Sequence, residues 1–231
     1  MNICGLQKTT LLDYPGRVAA TLFTGGCNFR CPFCHNSELL EGPVEAAYSE
    51  EELIAFLRKR KGILEGVCIT GGELHCVPTW RILSKIRETG LAVKLDTNGY
   101  KPEVLKDLCQ KGLVDYVAMD IKASKENYKK VAGVPDLKME RVEESVEFLL
   151  QGGIPYEFRT TVVRGLHTSR DFDGIGPWIQ GCSQYYLQCF SDSGQILAPG
   201  LYSAFTKDEM LGFAGQMRPF VKKTALRGID Y

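Results

Sequence analysis

Cys27, Cys31 and Cys34 fall within eight residues, spaced C-x3-C-x2-C, in the stretch Cys27-Asn28-Phe29-Arg30-Cys31-Pro32-Phe33-Cys34-His35-Asn36. Three thiolates on one short loop can hold three irons of a four-iron cubane, and the fourth iron is then open to a ligand. A structural zinc with His35 as fourth ligand is the competing chemistry. Loop geometry speaks against it, because His35 directly follows Cys34 and adjacent side chains rarely both reach one tetrahedral ion. Structural zinc sites also usually split their ligands into two separated pairs.

Other chemistry-bearing residues stand at the ends of apolar runs. Gly71-Gly72-Glu73 follows Gly66-Val67-Cys68-Ile69-Thr70. Two glycines allow a ligand to approach closely, and an acidic side chain suits an ammonium group; taken alone, the triplet reads as a turn. Asp96-Thr97-Asn98-Gly99 closes the run 91–95, and Asp120-Ile121-Lys122 closes the run from Tyr116. Capping of the next loop is the ordinary role for Asp96 and Asp120. His75 and Cys76 lie just beyond Glu73, and one His-Cys pair is too few ligands for a second metal.

The elements that position these residues alternate. Strands are predicted at Val18–Phe23, 66–70, 91–95, 116–121, 156–163 and 185–190. Between them, Ser49 and Glu52 form a capping-box pattern ahead of Leu53, Ile54 and Leu57. Further helices are predicted from about Pro78 to Glu88, from Pro102 to Gly112, from about Met139 to Leu150 and over 168–180. The lysine-rich segment 122–138 reads as a loop with a short helix. The tail holds a helix near 206–217 and a short strand near 224–226. Strand and helix alternating six times imply a parallel sheet with right-handed crossovers, and six units are fewer than the eight of a closed barrel. The expectation is an α/β fold, an incomplete (β/α)6 partial barrel with parallel strands. It forms a single domain over 1–231, with an N-terminal extension (1–17) and a C-terminal tail (191–231) packing on the barrel. The cysteine loop then lies at a strand's C-terminal edge, where barrel-like folds carry chemistry.

Composition narrows the classes. The chain of 231 residues is 44% hydrophobic and 24% charged with zero formal net charge, which gives no basic stripe for nucleic acid. No apolar run approaches the roughly 18 residues of a membrane span. The start Met1-Asn2-Ile3-Cys4-Gly5-Leu6-Gln7-Lys8 lacks a signal-peptide layout, so a cytoplasmic protein is expected. Nine cysteines, an odd number in such a chain, favour a metal site over a disulfide framework. Cys68 and Cys189 inside apolar runs, and Cys109 inside a helix pattern, read as buried thiols.

The text from Phe23 to Ser37, with its C-x3-C-x2-C, resembles the signature of radical S-adenosylmethionine (SAM) enzymes, and within these the glycyl-radical-enzyme activases. It is most similar to the activating proteins of anaerobic ribonucleoside-triphosphate reductase. Asp13-Tyr14-Pro15-Gly16 and the ending Leu226-Arg227-Gly228 resemble the same family, so the resemblance spans nearly the whole chain. It implies a radical SAM partial barrel in which Cys27, Cys31 and Cys34 bind a [4Fe-4S] cluster and SAM chelates the open iron. It further implies that Phe33, His35 and Asn36 lie beside the cofactor, and that Gly71, Gly72 and Glu73 bind the methionine amino group. Asp120 and Lys122 would contact SAM or a substrate peptide, and Asp96, Thr97 and Asp120 a monovalent cation. Arg159, a charge inside a strand, needs a partner. The SAM carboxylate is one candidate, an ion pair with Asp120 or Glu73 the other. His167 is either a cofactor contact or a surface histidine. The implied reaction is reductive cleavage of SAM and hydrogen abstraction from a glycine. The implied partners are the large subunit of anaerobic ribonucleotide reductase and a flavodoxin or ferredoxin reductant. Activation of a pyruvate formate-lyase type enzyme, or another radical SAM modification, is the alternative. The chain departs from the family where Leu74 follows Glu73 in place of proline and where Arg164 replaces a proline.

Overall fold

Apolar runs rich in β-branched residues, each followed by an amphipathic helix, set the architecture. The computed structural model describes residues 2–40, 45–73, 79–192 and 194–229. Eight strands are hydrogen-bonded in chain order, and the chain forms two compact units. The first comprises Met1–Asn28 and Glu38–Ala118, the second Phe29–Ser37 and Met119–Tyr231.

The first unit holds β1 (Ile3–Thr10), β2 (Ala19–Thr24), α1 (Glu50–Lys59), β3 (Gly66–Gly71), α2 (Thr79–Glu88), β4 (Ala92–Thr97), α3 (Pro102–Gln110) and the start of β5 (Tyr116–Asp120). β2, β3 and β4 pair in parallel, with Leu22 opposite Ile69 and Ile69 opposite Leu95. Successive residues of β2 and β3 are buried on both faces, as a parallel sheet covered by helices requires. Ser49 and Glu52 form the anticipated capping box on α1, and Pro102 opens α3. The anticipated start of α2 at Pro78 lies outside the described residues.

Within the expected N-terminal extension, residues 1–17, the chain forms a strand the sequence reading did not anticipate, β1. It pairs antiparallel with β2, so one antiparallel strand joins the parallel set. Its polar middle, Gln7-Lys8-Thr9, is exposed and breaks the alternation that would have marked it.

The second unit holds the end of β5, α4 (Tyr128–Ala132), α5 (Met139–Leu150), β6 (Tyr156–Val162), α6 (Ser169–Trp178), β7 (Tyr185–Cys189), α7 (Lys207–Met217) and β8 (Thr224–Arg227). β6, β7 and β8 pair in parallel. Thr168 with Asp171 and Thr206 with Glu209 cap α6 and α7 by capping boxes. The tail is integral to this unit: β8 extends the sheet, and Phe213 of α7 stacks on Phe172 of α6 at 4.6 Å. α4 is the short helix anticipated in the lysine-rich segment. Among the expected buried thiols Cys68 is buried, but Cys109 and Cys189 are half-buried, because both sit near element ends.

One ion pair fastens β8 to the sheet. Arg227 donates two bonds to the fully buried Glu157 of β6, at 2.6 and 2.9 Å, and lies 3.5 Å over the Tyr186 ring. Arg227→Ala should lower the unfolding free energy by about 2–3 kcal/mol, since it strips a buried carboxylate of its bidentate partner. Arg227→Lys should recover only part, because an ammonium cannot make the same fork. Urea denaturation measures both; parental stability in Arg227→Ala would show that the pair is dispensable.

Candidate functional site

Gly26 and Gly72 shape the first unit's share of the candidate residues. Beyond β2, the chain turns at Gly25-Gly26 and runs against the end of β3. Gly72 donates to the Thr24 carbonyl and Glu73 to the Gly26 carbonyl, both at 2.7 Å. A Cβ at Gly72 would lie 2.0 Å from the Gly26 oxygen, so only glycine admits this approach. Gly71-Gly72 thus serves first to bring two backbones together.

Glu73 is buried and bridges to the end of β4. Its Oε1 accepts from the Thr97 hydroxyl, and its Oε2 accepts from the Asn98 backbone N–H at 2.7 Å. The Asn98 side chain donates to Asn28 Oδ1 at 2.9 Å and approaches the Cys27 sulfur at 3.8 Å. Cys27, Glu73 and Thr97 are therefore linked through Asn98, whose role sequence reasoning passed over although it stands inside the run Asp96-Thr97-Asn98-Gly99.

Asp96 turns elsewhere. Successive strand residues face opposite ways, and Asp96 accepts from the Thr70 hydroxyl at 3.1 Å and pairs with Lys94. Lys94 is almost fully buried and also lies 3.6 Å from the Cys68 sulfur. A fixed ammonium thus pairs with Asp96. Lys94 was missed because a lysine inside Ala92-Val93-Lys94-Leu95 reads as a strand's exposed face. His75 and Cys76 lie outside the described residues.

In the second unit, the later part of the cysteine loop is clamped by backbone. Cys34 N–H bonds the Cys31 carbonyl at 3.0 Å, closing a tight turn. Arg30 N–H donates to the Ala132 carbonyl at 2.9 Å, and Ala198 N–H donates to the Pro32 carbonyl at 2.9 Å. Gly133, with φ of 66°, lies where a Cβ would meet the Arg30 oxygen at 2.1 Å. Phe33 is buried, Asn36 half-buried and His35 exposed, its ring edge against Phe190 at 5.9 Å. Burial pushes the Cys31 thiol up to about 11, and the nearby Lys122 ammonium offsets only part of this.

Asp120 ends β5 and gathers two cations. Arg159 Nε donates to Oδ1 at 2.7 Å and Lys122 Nζ to Oδ2 at 2.8 Å. Burial alone would raise the Asp120 carboxyl, but the two cations hold it well below the usual carboxylate range. Burial likewise opposes the Lys122 charge, and Asp120 more than restores it. Of the two ion-pair partners expected for Arg159, Asp120 and Glu73, the structure supplies Asp120.

His167 is buried, not at the surface. Val163 N–H donates to its Nδ1 at 3.0 Å, which leaves Nε2–H to donate to the Lys122 carbonyl at 2.7 Å. Burial lowers its pKa, outweighing the pull of Asp171, so the ring is neutral. It fixes the backbone of Lys122 and thereby the Asp120–Lys122 pair.

The three cysteines supply soft thiol donors, the ligand type an iron–sulfur cluster takes. None of the described cysteines is in a disulfide. Among the described residues no three His, Cys, Asp or Glu side chains stand in a metal-binding array. Cys27 and Cys31 instead lean as thiols toward the Asn28 side-chain oxygen (3.9 Å) and the Ala132 carbonyl (3.8 Å). Such weak contacts are released once the thiols deprotonate on binding metal. The Asn28 side-chain nitrogen is buried without a hydrogen-bond partner.

His167 yields a pH dependence. Its pKa is lowered from 6.5, so the unfolded chain takes up a proton first as pH falls. The stability of the neutral ring is complete above about pH 6.5 and is lost on acidification toward the folded-state value. Unfolding free energies measured from about pH 7.5 to about pH 5.5 should fall in the parent protein and fall less steeply in His167→Gln. Equal slopes would contradict the assignment.

Comparisons with known proteins show the family. Residues 21–170 match the model of the radical SAM superfamily. A Methanocaldococcus jannaschii protein provisionally named a glycyl-radical enzyme activating enzyme is 30% identical over 81% of this chain and 79% of its own. The pyruvate formate-lyase-activating enzyme of Clostridium pasteurianum is 28% identical over 74% of this chain and 72% of its own. The structure of Streptococcus suis SuiB bound to S-adenosylmethionine superposes with a TM-score of 0.69 over 90% of this chain, at 12% identity. That likeness is one of fold, and the chain spans about half of SuiB, 52%. Members of the matched family use a [4Fe-4S] cluster and S-adenosylmethionine, the chemistry that three cysteines on one strand-end loop supply; this chain belongs to the radical SAM superfamily.

Proposed function

We propose that the protein is a glycyl-radical-enzyme activase whose target is the large subunit of anaerobic ribonucleotide reductase. The observation that carries the reading is the C-x3-C-x2-C loop leaving the end of β2, in a chain whose relatives include a protein named as such an activase. The wording of Phe23–Ser37, Asp13–Gly16 and Leu226–Gly228 supports the choice of target. No helix among the described residues is long and apolar enough to cross a membrane, and we place the activity in the cytoplasm.

When bound, the cluster and SAM supply a one-electron reductive cleavage that yields a radical able to take a hydrogen atom from a glycine Cα. The chain's own residues prepare for it. Cys27, Cys31 and Cys34 would hold the cluster through three thiolates. Glu73, a buried carboxylate held by Thr97 and Asn98, offers negative charge to the SAM ammonium. Gly71 and Gly72 keep side chains away from that carboxylate. Asp120, Lys122 and Arg159 form a charged group that orients SAM or the target peptide, with His167 fixing Lys122 from behind. Phe33 contributes apolar burial on the cysteine loop, and His35 and Asn36 flank it. A flavodoxin or ferredoxin supplies the electron.

A second reading, activation of a pyruvate formate-lyase type enzyme, is favoured by the Clostridium pasteurianum relative. Anaerobic, reduced protein should be mixed with SAM and, separately, each candidate target, and EPR spectra recorded. A glycyl doublet on the reductase subunit is expected, with none on pyruvate formate-lyase; the reverse pattern favours the second reading. SAM cleavage with no protein radical would point to a different substrate. Cys31→Ala should lose both cleavage and radical, and cleavage that survived this change would sink the cluster assignment.

A further inference from the structure

The most informative feature outside the named roles is the pair of side-chain amides beside Cys27. Asn98 is buried, and its backbone N–H and both ends of its side-chain amide are engaged. Its backbone N–H holds Glu73 at 2.7 Å. Its side-chain oxygen accepts from the Tyr100 N–H at 3.0 Å. That acceptor fixes which way the amide points, so the nitrogen must face Asn28 and Cys27. The distances there are 2.9 Å to the Asn28 oxygen and 3.8 Å to the Cys27 sulfur. Asn28, whose oxygen is thus engaged, presents its own nitrogen as a buried donor with no partner. A buried unsatisfied donor in a folded protein calls for an explanation, and an acceptor absent from the polypeptide is a frequent one.

We infer that Asn98, with Asn28, forms an amide clamp that donates N–H bonds to the sulfur side of the cluster at Cys27 and so sets its reduction potential. The inference rests on Cys27 being a cluster ligand. A thiolate is a stronger acceptor than the thiol it replaces, so the Asn98 contact tightens on ligation. Hydrogen bonds to cluster sulfurs stabilise the more negative, reduced state and move the potential upward. Asn98 acts through Cys27 and is a positioning residue. Because the same residue binds Glu73 by its backbone, the ligand cysteine and the expected SAM anchor share one support.

The test uses the full chain, reconstituted anaerobically with iron and sulfide. First, protein labelled with 15N in asparagine side-chain amides is reduced with dithionite and studied by pulsed EPR. A weak 15N coupling to the reduced cluster is expected, and its absence overturns the inference without any variant. Second, the midpoint potential is measured in the parent, in Asn98→Leu, which keeps the shape and removes the donor, and in Asn98→Gln, which keeps an amide. At equal iron content the leucine variant should shift to a more negative potential and the glutamine variant should recover part of the shift. An unchanged potential with a fully loaded cluster overturns the inference and leaves the cluster reading intact. Failure of the parent to form any cluster overturns both.

Discussion

A missing side chain at Gly72 is the constraint on which the first unit's functional residues depend. The chain leaving β2 and the chain leaving β3 approach so closely that a methyl group would strike the Gly26 carbonyl at 2.0 Å. Two backbone bonds of 2.7 Å seal the approach. The positions of the neighbouring residues are then a matter of geometry: Cys27 is the next residue on one chain and Glu73 the next on the other. Glu73 reaches Thr97 and Asn98, and Asn98 reaches back to Asn28 and Cys27. A backbone contact thus fixes the start of the cysteine loop, and a ring of polar side chains closes on it.

The second unit solves the same problem by other means. Gly133 admits the Arg30 carbonyl as Gly72 admits that of Gly26. The carboxylate is Asp120, and where Glu73 is held by a hydroxyl and an amide, Asp120 is held by two cations. A buried carboxylate needs compensation, and charge-assisted bonds supply it. His167 and Tyr128 add a buried frame: the imidazole fixes the Lys122 carbonyl, and the Tyr128 hydroxyl bonds the Asp120 carbonyl at 3.3 Å. These contacts hold the Asp120 and Lys122 side chains in one arrangement.

Much of this was legible in the sequence, for physical reasons. Runs such as Val67-Cys68-Ile69 announce buried parallel strands, and Ser49 with Glu52 announces a helix start through a reciprocal bond. The C-x3-C-x2-C spacing of Cys27, Cys31 and Cys34 pointed to a family, and the comparisons show the radical SAM superfamily. β1 was not legible, because an edge strand with a polar, exposed middle lacks the period-two pattern. Lys94 was not legible either: its burial depends on Asp96 and Cys68, whose juxtaposition arises from strand pairing. His167 read as either a cofactor contact or a surface histidine, because nothing local predicts that the Lys122 carbonyl, 45 residues away, will be its partner. That Arg159 pairs with Asp120 and not Glu73 follows from which strands are neighbours. Local signals report elements and ligand types, whereas pairings between distant residues emerge only from the sheet.

The central claim is that one glycine, through the backbone approach it permits, supports the residues that serve the cofactor. Substituting Gly72→Ala adds a single methyl group, so thermal unfolding and iron content after anaerobic reconstitution together give a direct measurement. The account predicts a clear loss of stability and a cluster content well below that of the parent chain. A Gly72→Ala protein that unfolds at the parental temperature and loads a full complement of iron would contradict it.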